Sequence, residues 1–133
     1  MELYATAADQ IDLTVRDVRA LARAALSMVQ PDDPAPERLL TAAIRGLARA
    51  TEALAAYLQT SGDPDQTRQL ALEAARMASA LLEEYEDLAS NLGVNAVVDQ
   101  IHSSAVDLLR SSGMDRGTAL QALREVTGRT SAG

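Results

Sequence analysis

Apolar residues recur in steps of four and three along most of the chain, which is the spacing of one face of an α-helix. The first stripe of this kind ends at residues 30–36, QPDDPAP, where three prolines stop the predicted helix. A stripe that keeps this period stays on one side of the helix, as in the seam of a helical bundle. It consists of Tyr4, Ala8, Ile11, Val15, Val18, Ala22, Ala25 and Val29.

The next two stripes predict two further long helices, which are separated by residues 60–66, TSGDPDQ. In that segment Gly62 suits a helix C-cap, Asp63 an N-cap and Pro64 the first helical position. The apolar positions are Leu40, Ala43, Ile44, Leu47, Ala50, Leu54 and Leu58 in the second helix, and Leu70, Ala74, Met77, Leu81, Tyr85, Leu88 and Leu92 in the third.

Two shorter helices complete the pattern. We expect Gly93 to end the third helix and Asn95 to cap the fourth, which stops at residues 111–115, SSGMD. That segment supplies a glycine stop and an aspartate cap for a fifth helix, and Gly128 closes the fifth helix. The apolar positions are Val97, Val98, Ile101, Ala105, Leu108 and Leu109, then Ala119, Leu120, Leu123 and Val126.

These elements predict an all-α fold, an up-down antiparallel helical bundle of four main helices plus a short C-terminal fifth helix. Connections of a few residues make neighbouring helices antiparallel. The chain has 133 residues, 47% of them hydrophobic, which is enough for one core. We expect a single domain over residues 1–128 and a frayed C-terminal tail, residues 129–133.

A run of carboxylates interrupts the third stripe; its members are Glu83, Glu84, Glu86 and Asp87. At about 100° per residue, a helix that continues through this run directs Glu83 and Glu86 to solvent. It places Glu84 and Asp87 on a flank, which Glu73 shares. A solvated helix face is the usual role of such a run, and an acidic face that binds a partner is the functional interpretation.

The segment LLEEYEDL, residues 81–88, is similar to the first metal motif of the all-α nucleotide pyrophosphatases of the MazG type, Glu-Glu-x-x-Glu, with Asp87 in the last place. This resemblance implies Mg²⁺ held by carboxylates of two helices. The chain departs from the family at the second motif, Glu-x-x-Asp, because the residue three before Asp99 is Ala96. We therefore predict no cofactor and no metal. The weak candidate ligands are Glu73, Glu84 and Asp87.

His102 is the only histidine, and the chain has no cysteine. Histidine-phosphotransfer domains resemble four-helix bundles in which a Lys-Gly pair follows the histidine, but residues 103–106 are Ser-Ser-Ala-Val. A carboxylate-bridged di-iron site needs a second histidine motif. We therefore predict no catalytic residue and expect His102 to be partly buried.

Arginine residues form two clusters. The first is an outward ridge on the second helix, a surface for an acidic partner or a phosphate; it consists of Arg38, Arg45 and Arg49. The second lies on one side of the first helix, at Arg16, Arg19 and Arg23. Local pairs such as Asp12 with Arg16 are sufficient to explain it.

The net charge of −7 and the aromatic content of 2% argue against a direct nucleic-acid binder, which needs a basic surface or stacking side chains. No apolar run approaches the roughly 20 residues of a membrane span, and no secretory signal pattern opens the chain. We therefore expect a cytoplasmic protein. Every basic residue is arginine, and with the abundant alanine this suggests a bacterial genome.

These observations predict a non-catalytic interaction or regulatory protein that binds a protein partner through a polarised charged surface. From Met77 to Leu109 there are six acidic residues and no basic one, whereas residues 1–60 contain six arginines beside eight acidic residues. The alternatives are a Mg²⁺-dependent nucleotide pyrophosphatase-like hydrolase and an acidic inhibitor that imitates nucleic acid. Since alanines bury little area per residue, we also expect a homodimer.

Overall fold

A computed structural model of the chain describes residues 35–60, 63–85 and 90–128, together with seven separate helical positions before them. Those positions are Asp9, Ile11, Leu13, Arg16, Arg19, Ala20 and Arg23. Within these described residues the chain forms α-helices and turns and no β-strand, which confirms the predicted all-α class. Most of the predicted first helix, and the predicted tail 129–133, lie outside the described residues.

The described ranges contain four helices, which correspond to the second to fifth predicted ones. They are α1 (Ala35–Thr60), α2 (Asp65–Glu84), α3 (Leu92–Ser111) and α4 (Arg116–Thr127). None of them is long and apolar enough to cross a membrane.

The predicted stripes supply the core. Burial of their side chains removes apolar surface from water, and this is the main force that holds the helices together. The fully buried large side chains are Leu40, Leu47, Leu54, Leu81, Val94, Val97, Ile101, Leu108 and Leu109.

Helix α2 makes the most extensive contacts of the four described helices, with α1, α3 and α4, and its largest contact is with α1. The face that it turns to its neighbours is built mainly of alanine, at Ala71, Ala74, Ala75 and Ala78, all fully buried. Small side chains let helix backbones come close together. A methyl group added at Gly46 of α1 would lie only 3.3 Å from the Cβ atom of Ala74.

A partly buried arginine contact joins the beginning of α2 to the end of α3. The Arg68 side chain donates from Nε to Ser112 Oγ and from Nη2 to the Ser112 carbonyl, both at 2.9 Å. The Ser112 hydroxyl in turn donates to the Leu109 carbonyl at 2.6 Å. A cation is favoured at a helix C-terminus, where carbonyl groups lack helical partners. The contact therefore stabilises the turn between α3 and α4.

The turns around α4 agree with the sequence prediction. Gly113 and Gly128 both have positive φ, 110° and 71°, which glycine adopts without steric strain. Asp115 caps α4, since its side chain accepts a hydrogen bond from the Thr118 N–H at 2.8 Å. This hydrogen bond lowers the pKa of Asp115.

The boundary between α2 and α3 differs from the prediction. Helix α2 ends at Glu84, not Leu92, and Asn91 caps α3 instead of Asn95. The Asn91 side chain accepts a hydrogen bond from the Val94 N–H at 2.9 Å, so a local cap overrides the apolar period. Gly93 consequently lies in the first turn of α3, and Leu92, expected in the core, is 87% exposed.

Candidate functional site

The described part of the acidic run lies at the end of a helix. Glu83 and Glu84 occupy the last turn of α2, and both side chains are exposed. The following residue, Tyr85, closes the helix by donating its backbone N–H to the Leu81 carbonyl at 3.1 Å. Glu86 and Asp87, the other two predicted members of the acidic face, lie outside the described residues.

This position is electrostatically unfavourable for the two glutamates. The C-terminus of a helix carries roughly half a negative charge, so carboxylates there are repelled and cations are favoured. The last turn of α2 contains no basic residue. The end of α2 therefore presents a concentrated negative surface, which we call the acidic helix end and define as Glu83 and Glu84.

The structure separates two of the three candidate metal ligands. Glu73 and Glu84 are 11 positions apart on α2, which is about 16 Å along a helix axis. Metal–oxygen bonds are about 2–2.6 Å long, so one ion cannot bind both side chains. Asp87 lies outside the described residues. The part of the chain that is described holds no group of three or more Asp, Glu, His or Cys side chains suited to a metal ion.

Glu73 already has a partner. Its carboxylate accepts hydrogen bonds from Arg76, one from Nε at 3.0 Å and one from Nη2. This side-chain hydrogen bonding, and the charge of the arginine, lower the pKa of Glu73 despite slight desolvation. Both side chains are about half exposed, so the pair contributes little to stability.

His102 is more buried than expected, with 7% exposure. Its Nε2 atom lies 3.0 Å from the Ser79 hydroxyl and 3.3 Å from the Ala75 carbonyl of α2. A carbonyl can only accept a hydrogen bond, so a proton on Nε2 suits both contacts. In a serine nucleophile pair the imidazole must instead accept the serine proton. The geometry thus fits a structural link between α2 and α3.

A shallow groove of about 330 Å³ lies between α3 and α4, beside His102. Its charged side chains are Asp107, Arg110 and Arg116. Partial desolvation raises the pKa of Asp107, and the positive charge of Arg110 offsets part of the increase. The ionised form of Asp107 is therefore slightly disfavoured by the fold.

Replacing Asp107 with asparagine should raise the free energy of unfolding slightly at neutral pH, by about 0.5 kcal/mol or less because the residue is on the surface. A raised carboxyl pKa means that the folded state binds the proton more tightly than the unfolded state. Wild-type stability therefore falls as pH rises from the unfolded pKa to the folded pKa. The advantage of D107N should shrink as pH is lowered through that window.

Urea unfolding at several pH values measures this effect. The matched control is D99N, which changes an exposed aspartate nearer the middle of the same helix. An advantage of D107N that grows toward low pH would contradict the proposed desolvation of Asp107.

The predicted arginine ridge is exposed, as expected, at Arg38, Arg45 and Arg49 of α1. Its members do not have the same surroundings. Arg45 lines a cavity of about 190 Å³ together with Arg19 and Arg23, whereas Arg38 and Arg49 do not line it. The predicted pairing partner of Arg16, Asp12, lies outside the described residues.

The sequence prediction missed two groupings, both of which depend on contacts between helices. The spacing of arginines showed that Arg19 and Arg23 share a side of one helix, but not that they converge with Arg45. Likewise, Ser79 is not a member of the third apolar stripe, and the sequence pattern gave no sign of its hydrogen bond to His102. Each grouping depends on how two helices are rotated relative to each other, and the pattern of residues along the chain does not contain that information.

Comparisons with protein-family models, with curated proteins and with solved structures find no match to this chain. The functional proposal consequently depends on the residues and their geometry.

Proposed function

We propose that this protein is a non-catalytic interaction module, which binds a protein partner through a polarised charged surface. The observation that carries the proposal is the acidic helix end, where two exposed glutamates stand at the negative end of α2 without a basic residue in that turn. Residues that break a local rule of stability are often those selected for function.

The chemistry of this surface defines the partner that it would bind. Glu83 and Glu84 favour a basic surface, and lysine or arginine side chains of a partner would remove their repulsion from the helix C-terminus. Leu92, in the first turn of α3, offers a large exposed apolar side chain. We therefore expect a basic partner surface with a small apolar pocket.

A second contact of opposite sign is proposed at Arg38 and Arg49. Both are exposed on α1, and an acidic region of the same partner or of another copy of the chain would complement them. The up-down arrangement of four main helices and a fifth, the homodimer and the cytoplasmic location belong to this proposal as predictions of the sequence.

Replacing both glutamates of the acidic helix end with lysine should stabilise the isolated protein. Lysine at a helix C-terminus interacts favourably with the helix dipole, so we expect E83K/E84K to raise the free energy of unfolding by about 1 kcal/mol. Chemical denaturation of the purified chain measures this change. The control E52K/D99K changes the net charge equally, but both of its positions lie away from the helix ends. Its free energy of unfolding should stay within about 0.5 kcal/mol of wild type.

The same two variants test the proposed function. Affinity purification of the tagged chain from its native cells, followed by a titration with the purified partner, should yield a complex whose affinity falls with salt. E83K/E84K should weaken the complex at least about tenfold, and E52K/D99K should not. A partner that binds wild type and both variants equally, or the recovery of no stoichiometric partner, would overturn the proposal.

A further inference from the structure

The cavity beside α1 brings together side chains from two parts of the chain. Arg19 and Arg23 come from the helical positions before α1, and Arg45 comes from α1 itself. Leu40 and Ile44 of α1 supply an apolar lining and Thr41 a hydroxyl group, while Glu37 supplies one carboxylate. The cavity therefore combines hydrogen-bond donors with an apolar surface, as ligand sites commonly do.

Three exposed arginines that line one cavity create a local positive potential, which attracts negative charge. Within the described part of the chain, Arg19, Arg23 and Arg45 form no ion pair and no side-chain hydrogen bond. Arg19 and Arg23 are one helical turn apart, a spacing at which like charges repel each other. Among the described residues that line the cavity, Glu37 supplies the one carboxylate, which leaves two of the three positive charges without a counter-charge there.

The size of the cavity limits what could supply the missing charge. Its volume of about 190 Å³ is below the roughly 300–1,000 Å³ of pockets that hold drug-sized ligands. Guanidinium groups bind carboxylates and phosphates through paired hydrogen bonds. The apolar lining suits a short carbon chain or ring attached to the anionic group.

We propose that this cavity, formed by Arg19, Arg23 and Arg45, binds a small organic dianion, either a phosphate monoester or a dicarboxylate. Two negative charges balance the two uncompensated positive charges, and the carbon skeleton rests on Leu40 and Ile44. Thr41 can donate a hydrogen bond to an anionic oxygen. This site is separate from the acidic helix end, because Glu83 and Glu84 do not line the cavity, whereas Arg45 lies between Arg38 and Arg49 on α1.

Isothermal titration calorimetry of the full chain tests the proposal, with glycerol 3-phosphate as the phosphate monoester and succinate as the dicarboxylate. At least one of them should bind with one-to-one stoichiometry. The comparison of the two affinities shows whether the site prefers a phosphate monoester or a dicarboxylate. R45A should weaken that binding about tenfold or more, because it removes a hydrogen-bond donor to a charged group. The matched control R124A removes an exposed arginine on α4 and should change the affinity less than about twofold.

A second variant distinguishes loss of the ligand site from loss of the folded structure. R23A removes a cavity arginine from the other part of the chain and should weaken binding about as much as R45A, with circular dichroism showing unchanged helix content. The proposal is overturned if neither dianion binds, or if R45A, R23A and R124A all weaken binding equally, since that result would mean a non-specific attraction of anions to arginine.

Discussion

Replacing Leu47 with alanine is expected to reduce the free energy of unfolding by about 2–5 kcal/mol. Leu47 lies in α1 with its side chain fully buried. Its loss removes apolar surface burial and leaves a cavity that the surrounding helices can fill only in part. Since single domains have total stabilities of about 5–15 kcal/mol, this one substitution would remove a large part of the total stability.

Denaturant titration monitored by circular dichroism at 222 nm measures the effect. The matched control is L92A, which deletes the same atoms at a leucine that is 87% exposed. We expect L92A to lie within about 0.5 kcal/mol of wild type. If L47A and L92A reduce the free energy of unfolding equally, the described packing of α1 and the described exposure of Leu92 are contradicted.

Replacing Gly46 with leucine is the second change for which we expect a large effect. The Cβ atom alone would lie 3.3 Å from Ala74 Cβ and 3.8 Å from Met77 Cε, so a full leucine side chain has no space between α1 and α2. Overpacking of this kind costs about 1–3 kcal/mol and sometimes more. Separation of the two helices would also expose the alanine face of α2 to water.

Two further substitutions isolate the cause in the same denaturation assay. G46A adds only the methyl group, and its steric conflict is offset by the higher helix propensity of alanine, about 1 kcal/mol relative to glycine. A56L adds a leucine to the same helix at an exposed position and should be nearly neutral. Equal free energies of unfolding for G46L and A56L would contradict the described close approach of α1 and α2.

The helices themselves could be predicted from the sequence because their physical causes are local. Burial at steps of three and four defines the stripes, as at Leu40, Ile44 and Leu47. Glycine and capping residues define several ends, as at Gly113 and Asp115. These features depend on residues close together in sequence, and a pattern along the chain contains them.

The boundary between α2 and α3 was predicted wrongly for a physical reason. The apolar period continues through Leu88 to Leu92, so periodicity alone favours one unbroken helix. Two asparagines, Asn91 and Asn95, were both able to cap the next helix. The choice between them depends on where α3 must lie against the core, and the burial of Val94 and Val97 favours the earlier cap.

For the candidate sites, the sequence predicts which residues could take part but not how they are arranged in space. The sequence directs Glu83 to solvent and places Glu84 on a flank of the third helix, whereas the structure exposes both side chains. Their position at the negative end of a helix followed from the corrected boundary. The meeting of Arg19 and Arg23 with Arg45 depends on how two segments are rotated about their axes, so their separate positions in the sequence gave no indication of a shared cavity.

The extensive contacts of α2 have a consequence for how the fold loses its structure. Helices α1, α3 and α4 each bury part of their apolar face on residues 65–84. Opening α4 alone removes its contacts with α2 and α3 and leaves the contacts between α1, α2 and α3 intact. Loss of α2 instead removes most of the contacts between the described helices and leaves only those that α3 makes with α1 and α4. Residues 65–84 therefore link the described helices into one cooperative unit, and a fragment without them lacks the element on which the rest of the core assembles.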